Sequence, residues 1–180
     1  MSVKDIAAET GLSISSVTGY LPHSKIIYSL ETMSAESERI KLFRYRKAAV
    51  EELQDHLGLP DELEYLWKAV IAFENYPFKT FGRGKNHVGA TKFKYTVSRS
   101  TAVIGRHYTG ASIEGYGNEL WIEGKEKSVS RSTVDLAFRN GREEQTRYGF
   151  VSGPRKLGVP GVRSNLYAMF LRFGVIMAEE

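Results

Sequence analysis

The chain has 180 residues, 42% of them hydrophobic and 26% charged, with a net charge of +4 and a pI of about 9.2. That is enough apolar material for a buried core, and the mild positive balance favours an anionic partner. With no cysteine, disulfides, thiolate catalysis and Cys-based zinc sites are excluded.

Val3–Leu21 reads as helix, tight turn, helix. Ile6, Ala7 and Thr10 follow helical spacing, and Gly11 breaks the run where a left-handed backbone would strain a Cβ. Ser13 then caps a second helix whose inward side holds Val17 and Leu21, and Pro22 ends it. Residues 23–33 read as a connector with an apolar patch at Ile26, Ile27 and Tyr28.

Ser34 starts a long helix through about Leu57, with Glu36 and Glu38 at its positive end. Its expected apolar stripe is Ile40, Phe43, Lys47, Val50 and Leu57, with Leu42, Ala49 and Leu53 beside it. Gly58-Leu59-Pro60 stops it. Asp61 is read as the cap of a helix to about Phe73, with Leu63, Leu66, Val70 and Phe73 inward.

The pattern then changes to alternation. Phe78–Phe81, Lys92–Ser98 and Glu119–Glu123 read as strands, with Val103–His107 as a further short one. Alternation puts Phe93, Tyr95 and Val97 on one face and Lys92 and Lys94 on the other. Between Tyr76 and Ile113 there is no acidic residue, yet Lys79, Arg83, Lys85, Lys92, Lys94, Arg99 and Arg106 are all there. This segment is expected to present a basic sheet face for phosphates. The turn 83–90 lacks the Lys-Ser/Thr ending of a nucleotide-binding loop.

Ser130–Arg139 reads as a capped helix closed by Asn140-Gly141, with Val134, Leu136, Ala137 and Phe138 for packing. Lys125, Lys127 and Arg131 lie near its positive start, where phosphate is favoured. Residues 142–161 read as loop. Ser164–Phe173 is a last amphipathic helix, ended by Gly174, with Val175-Ile176-Met177 packing back.

The pattern Ala7, Gly11, Ser13 and Val17, with a helix on each side, resembles the N-terminal helix-turn-helix of LacI-type repressors over about residues 2–21. The resemblance implies a roughly three-helix head whose second helix lies in the major groove. It turns Ser13, Ile14, Ser15, Ser16 and Thr18 toward double-stranded DNA and makes Ala7, Val17 and Leu21 core. Lys4 and Lys25 are the expected phosphate contacts, joined by Arg83, Lys85, Lys92, Lys94, Lys125, Lys127 and Arg131 from the remainder. SRSTV at 130–134 is similar to the start of the recognition helix in GntR-type regulators, without the preceding helix. As a whole the chain looks like small helix-turn-helix proteins of Gram-positive bacteria, through VTGYLP at 17–22, the aromatic run 73–81 and the tail 166–176.

The expected architecture is α+β: a helix-turn-helix head at 1–33, a long connecting helix at 34–60 and a mixed domain at 61–180. The expected function is sequence-dependent DNA binding in transcriptional control, by a cytoplasmic homodimer with no membrane segment, no metal and no cofactor. No Arg or Lys lies within residues 13–21, so bidentate guanine contacts are absent and selection is expected from hydroxyls and an Ile14 contact to thymine methyls. Two other readings stay open. One is a metal-dependent nuclease, from Glu123-Gly124-Lys125 at a strand end with Glu114 or Glu119 as the second acid. The other is a protein-interaction module.

Overall fold

A computed structural model describes residues 2–20, 35–80, 89–99 and 115–179. The fold is α+β, and the chain divides into two compact units, Met1–Arg39 and Ile40–Glu180.

The first unit holds α1 (Val3–Thr10), α2 (Ile14–Tyr20) and the start of α3 (Ala35–Asp55). The Ser2 hydroxyl accepts from the Asp5 N–H, and the Asp5 carboxylate accepts from the Ser2 N–H, a reciprocal capping box. The Ser2 N–H, and after it the Ser2 side chain, hold the Asp5 carboxyl below its usual range. Gly11, at φ 70°, closes α1 in the left-handed conformation expected of it. Leu21, Pro22, residues 23–33 and the Ser34 cap lie outside the described residues.

The second unit is built around two helices buried nearly all round. In α4 (Glu62–Ala72), Leu66, Trp67 and Ala69 through Ala72 are buried; in α6 (Arg163–Phe173), Asn165 through Phe170 and Phe173 are. Such helices cannot pack on one side only, so other elements surround them. Two antiparallel sheets supply part of the cover. One pairs β1 (Phe78–Lys79) with β2 (Lys92–Phe93); the other has the order β3 (Tyr95–Arg99), β4 (Tyr116–Ile122), β5 (Val129–Ser130). Phe78, Phe93, Tyr95, Val97, Leu120, Ile122 and Val129 face the core. Phe78 stacks on Phe93 and Tyr95 at ring separations of 5.4 and 5.8 Å, and the Tyr95 hydroxyl donates to the Val70 carbonyl at 2.6 Å. The strand from Val103 to His107 falls outside the described residues.

Helix α3 serves the core through its C-terminal half. Ala49 and Leu53 are buried, while Ile40, Leu42, Phe43 and Tyr45 are exposed, Phe43 at 63%. The expected stripe through Ile40 and Phe43 is therefore corrected: burial begins only where α3 meets the ends of its neighbours. There its side chains close helices. Arg46 donates to the Ala72 and Glu74 carbonyls at 3.1 and 3.0 Å at the end of α4, and Gln54 donates to Phe173 at 3.0 Å at the end of α6.

Two further expectations are corrected. Asp61 makes no side-chain cap bond; its backbone carbonyl accepts from Glu64, and Glu62 reaches back to the Gly58 N–H at 2.8 Å. The helix expected to close at Asn140-Gly141 continues as α5 (Arg131–Tyr148) and ends at Gly149, in the left-handed conformation. Asn140 spends its amide on the Leu157 carbonyl instead of on a helix end. Gly141 is buried against Leu157 and Ile176, so its missing side chain serves packing rather than a turn. A short 3-10 helix, Pro154–Leu157, lies within the stretch expected as loop. Val175 and Ile176 pack back as expected, whereas Met177 is exposed.

Candidate nucleic-acid interface

In the head, α1 and α2 are joined by Gly11, Leu12 and Ser13, a three-residue turn containing the left-handed glycine. Ser13 caps α2: its hydroxyl accepts from the Ser16 N–H at 3.1 Å and shares a hydrogen bond with the Ser16 hydroxyl at 2.9 Å. Its carbonyl also accepts from the Val17 N–H at 3.0 Å. Thr18 donates to the Ile14 carbonyl at 2.7 Å, which leaves its oxygen able to accept a further bond.

The faces of α2 are distinct. Val17, 4% exposed, is the buried side chain among the described residues of this unit. At about 100° per residue, Ser15 and Gly19 lie opposite Val17, with Ser16 and Thr18 flanking them. All four are exposed, as is Ile14 at 52%. Lys4 is exposed on α1. The outward side of α2 thus offers hydroxyls without charge, while the exposed Ile14 lies about 60° from Val17, at the edge of the packed side. Gly19 leaves a gap in the middle, and a Cβ there would meet nothing within 4 Å.

In the second unit, Lys92 and Lys94 are exposed on the sheet's solvent side, as alternation requires. The acid-free segment does not make an acid-free surface, however. Strand β4 pairs against β3 with Tyr95 opposite Ile122, and the Glu123 N–H donates to the Lys94 carbonyl at 2.9 Å. Glu123, just past the end of β4, therefore lies beside Lys94, and Glu119 lies further along β4 beside Ser98; both are exposed. Sequence reasoning passed over Trp121 on this face, and counted Lys79 in the basic segment without naming it among the phosphate contacts. The signal for Trp121 was present, since it alternates with Leu120 and Ile122.

Around the start of α5, Ser130 caps as expected by accepting from the Thr133 N–H at 3.3 Å. Lys125 donates to the Gly161 carbonyl at 3.0 Å, Lys127 is exposed, and the half-buried Arg131 lies over the Trp67 ring at 5.7 Å. Two of these three cations are thus engaged by the protein itself. Asp135, one turn on, is pushed up by burial against the opposing pull of Arg131 and Arg139. Leu136, expected in the core, is exposed. Lys25, Arg83, Lys85 and Glu114 lie outside the described residues.

A shallow groove elsewhere is lined by Gly58, Glu62, Arg142, Glu143, Thr146 and Arg147. Its charges are largely engaged: Arg147 pairs with Glu143 at 2.7 Å, Glu62 with the Gly58 N–H, and Arg142 with the Val175 carbonyl. Among the described residues no group of three His, Asp or Glu side chains could hold a metal ion. Among them, no helix is long and apolar enough to cross a membrane. Comparison with family models, curated proteins and solved structures returned no match.

Proposed function

We propose that this chain is a sequence-dependent DNA-binding protein of the helix-turn-helix kind, acting in transcriptional control. The observation that carries the reading is the division of α2 into a side packed through Val17 and a side of exposed Ser15, Ser16 and Thr18, with the exposed Ile14 at the helix start, behind a three-residue glycine turn. Helices of this kind enter the major groove. The hydroxyls accept from or donate to base edges and phosphates, and Ile14 suits a thymine methyl. A helix of seven residues with no cation gives modest affinity, so a homodimer on paired half-sites is part of the proposal.

Duplex titration at low salt tests it. The double substitution Ser15→Glu, Ser16→Glu sets carboxylates against phosphates and abolishes retention of random duplex. Gly19→Lys acts in the opposite direction: the site has room for a side chain, and one new phosphate contact steepens the salt dependence by about one unit. Unchanged binding in both variants removes α2 as the reader. Plasmid cleavage in Mg²⁺ that Glu123→Ala abolishes would replace this reading with a nuclease.

A further inference from the structure

We infer that the solvent face of the sheets in the second unit binds an unpaired stretch of nucleic acid, with a base on Trp121 and phosphates on Lys79, Lys92 and Lys94. The site is separate from the head and does not rest on the reading of α2.

Two observations meet there. The first is Trp121, in mid-strand between the buried Leu120 and Ile122 yet 46% exposed, directly opposite the exposed Thr96. Its neighbours above and below bury their side chains in the core, so the indole has the outer face. A large flat ring there is a stacking platform. The second is Lys79 directly opposite Lys92 in the β1–β2 register, both exposed. Like charges directly opposite are unfavourable in an antiparallel pair, and among the described residues no acid pairs with either. An anion between them relieves the repulsion.

The alternation of exposed and buried residues runs unbroken from Lys92 to Val97, so Lys92, Lys94 and Thr96 share the face on which Trp121 lies. Lys94 is the diagonal neighbour of Trp121, roughly 7–8 Å away along the backbone lattice. Lys92 is about 7 Å further along the strand. Lys94 one diagonal step from the ring fits the separation of base and phosphate in one nucleotide, and the Lys79–Lys92 pair further on fits the next phosphate. Glu123 beside Lys94 and Glu119 beyond Trp121 confine the phosphates to the β1–β2 end. A duplex does not fit, because its bases are already stacked on both faces and offer none to the indole. The partner is therefore single-stranded.

Fluorescence of the full-length chain is the test, because its two tryptophans differ. Trp67 is 1% exposed and serves as an internal reference, while Trp121 is open. Oligo-dT and oligo-rU of about ten nucleotides, the size of one sheet-surface site, are titrated at low salt. Quenching of wild type that disappears in Trp121→Phe is expected, as is binding by Trp121→Ala at least about fivefold weaker by anisotropy of a labelled strand. Lys79→Gln with Lys92→Gln lowers the salt slope by about 1.4, at about 0.7 per phosphate contact. Similar affinities for dT and rU support a site reading base plane and phosphate alone; a preference for one, which differs in sugar and in the thymine methyl, supports the same site and identifies its source. Absence of quenching in wild type overturns the inference, as does wild-type affinity in both Trp121→Ala and the lysine variant. Retained duplex binding in those variants shows that the sheet site alone has failed. Lost duplex binding in the Ser15→Glu, Ser16→Glu chain with dT quenching intact is the converse.

Discussion

Glu74 joins three elements with one residue. Its carboxylate accepts from the Val97 N–H at 2.9 Å and pairs with Arg99 at 2.7 Å, while its backbone carbonyl accepts from Arg46. With Asn75 donating to the Tyr95 carbonyl, it covers the outer edge of β3, which would otherwise present open pairing groups. Glu74→Ala is expected to cost about 2 kcal/mol in urea unfolding, the range for a hydrogen bond to a charged group. Glu74→Gln, which keeps the acceptor for Val97, is expected to cost less than half of that. Tyr95 gives a pH signature. Complete burial raises its phenol well above the usual value of 10.0, with Arg46 opposing and Glu74 assisting. A group raised on folding contributes stability that is complete below its unfolded value and lost as pH rises toward the folded one. The stability advantage of wild type over Tyr95→Phe is therefore expected to be constant up to about pH 9 and to shrink above pH 10, in unfolding measured across that interval.

At the scale of elements, α5 shows how a helix passes through an apparent stop. Asn140-Gly141 has the composition of a C-terminal cap, but Gly141 lies in the helix interior against the buried Leu157. An added Cβ would stand 3.0 Å from a Leu157 methyl and 3.3 Å from Ile176. Gly141→Val is expected to destabilise by roughly 2 kcal/mol in chemical denaturation, because overpacking outweighs the gain in helix propensity. The neighbouring α3 makes a related point. Its exposed N-terminal apolar residues and its capping side chains Arg46 and Gln54 follow from where the ends of α4 and α6 lie, which no periodicity in α3 encodes.

At the scale of the molecule, the two units differ in how much core they hold. The second buries a continuous cluster from Ala49 to Ile176, whereas the described part of the first buries Val17. Local opening free energy follows buried apolar contact. Amide exchange is expected to be slowest in α4 and α6 and much faster in residues 2–20. Added duplex is expected to slow exchange in α2 selectively if that helix is the reader. Equal protection in α1 and α4 without DNA would contradict the first expectation.

The sequence by itself determined most of the local structure. Gly11 and Ser13 define the head's turn, Gly174 ends the last helix, and strict alternation over 92–97 puts phenylalanine, tyrosine and valine inside and the lysines outside. These depend on backbone stereochemistry and side-chain period, which neighbours in the chain express. The α2 residues of the candidate interface were legible for the same reason. The tertiary structure decided what depends on strands and helices distant in sequence. It set Glu123 and Trp121 beside the acid-free segment, opposed Lys79 to Lys92, and turned Gly141 from a stop into a contact. Cross-strand register and close packing are properties of pairs of segments. A charge run read along one of them cannot reveal the acids, or the ring, that the other brings alongside.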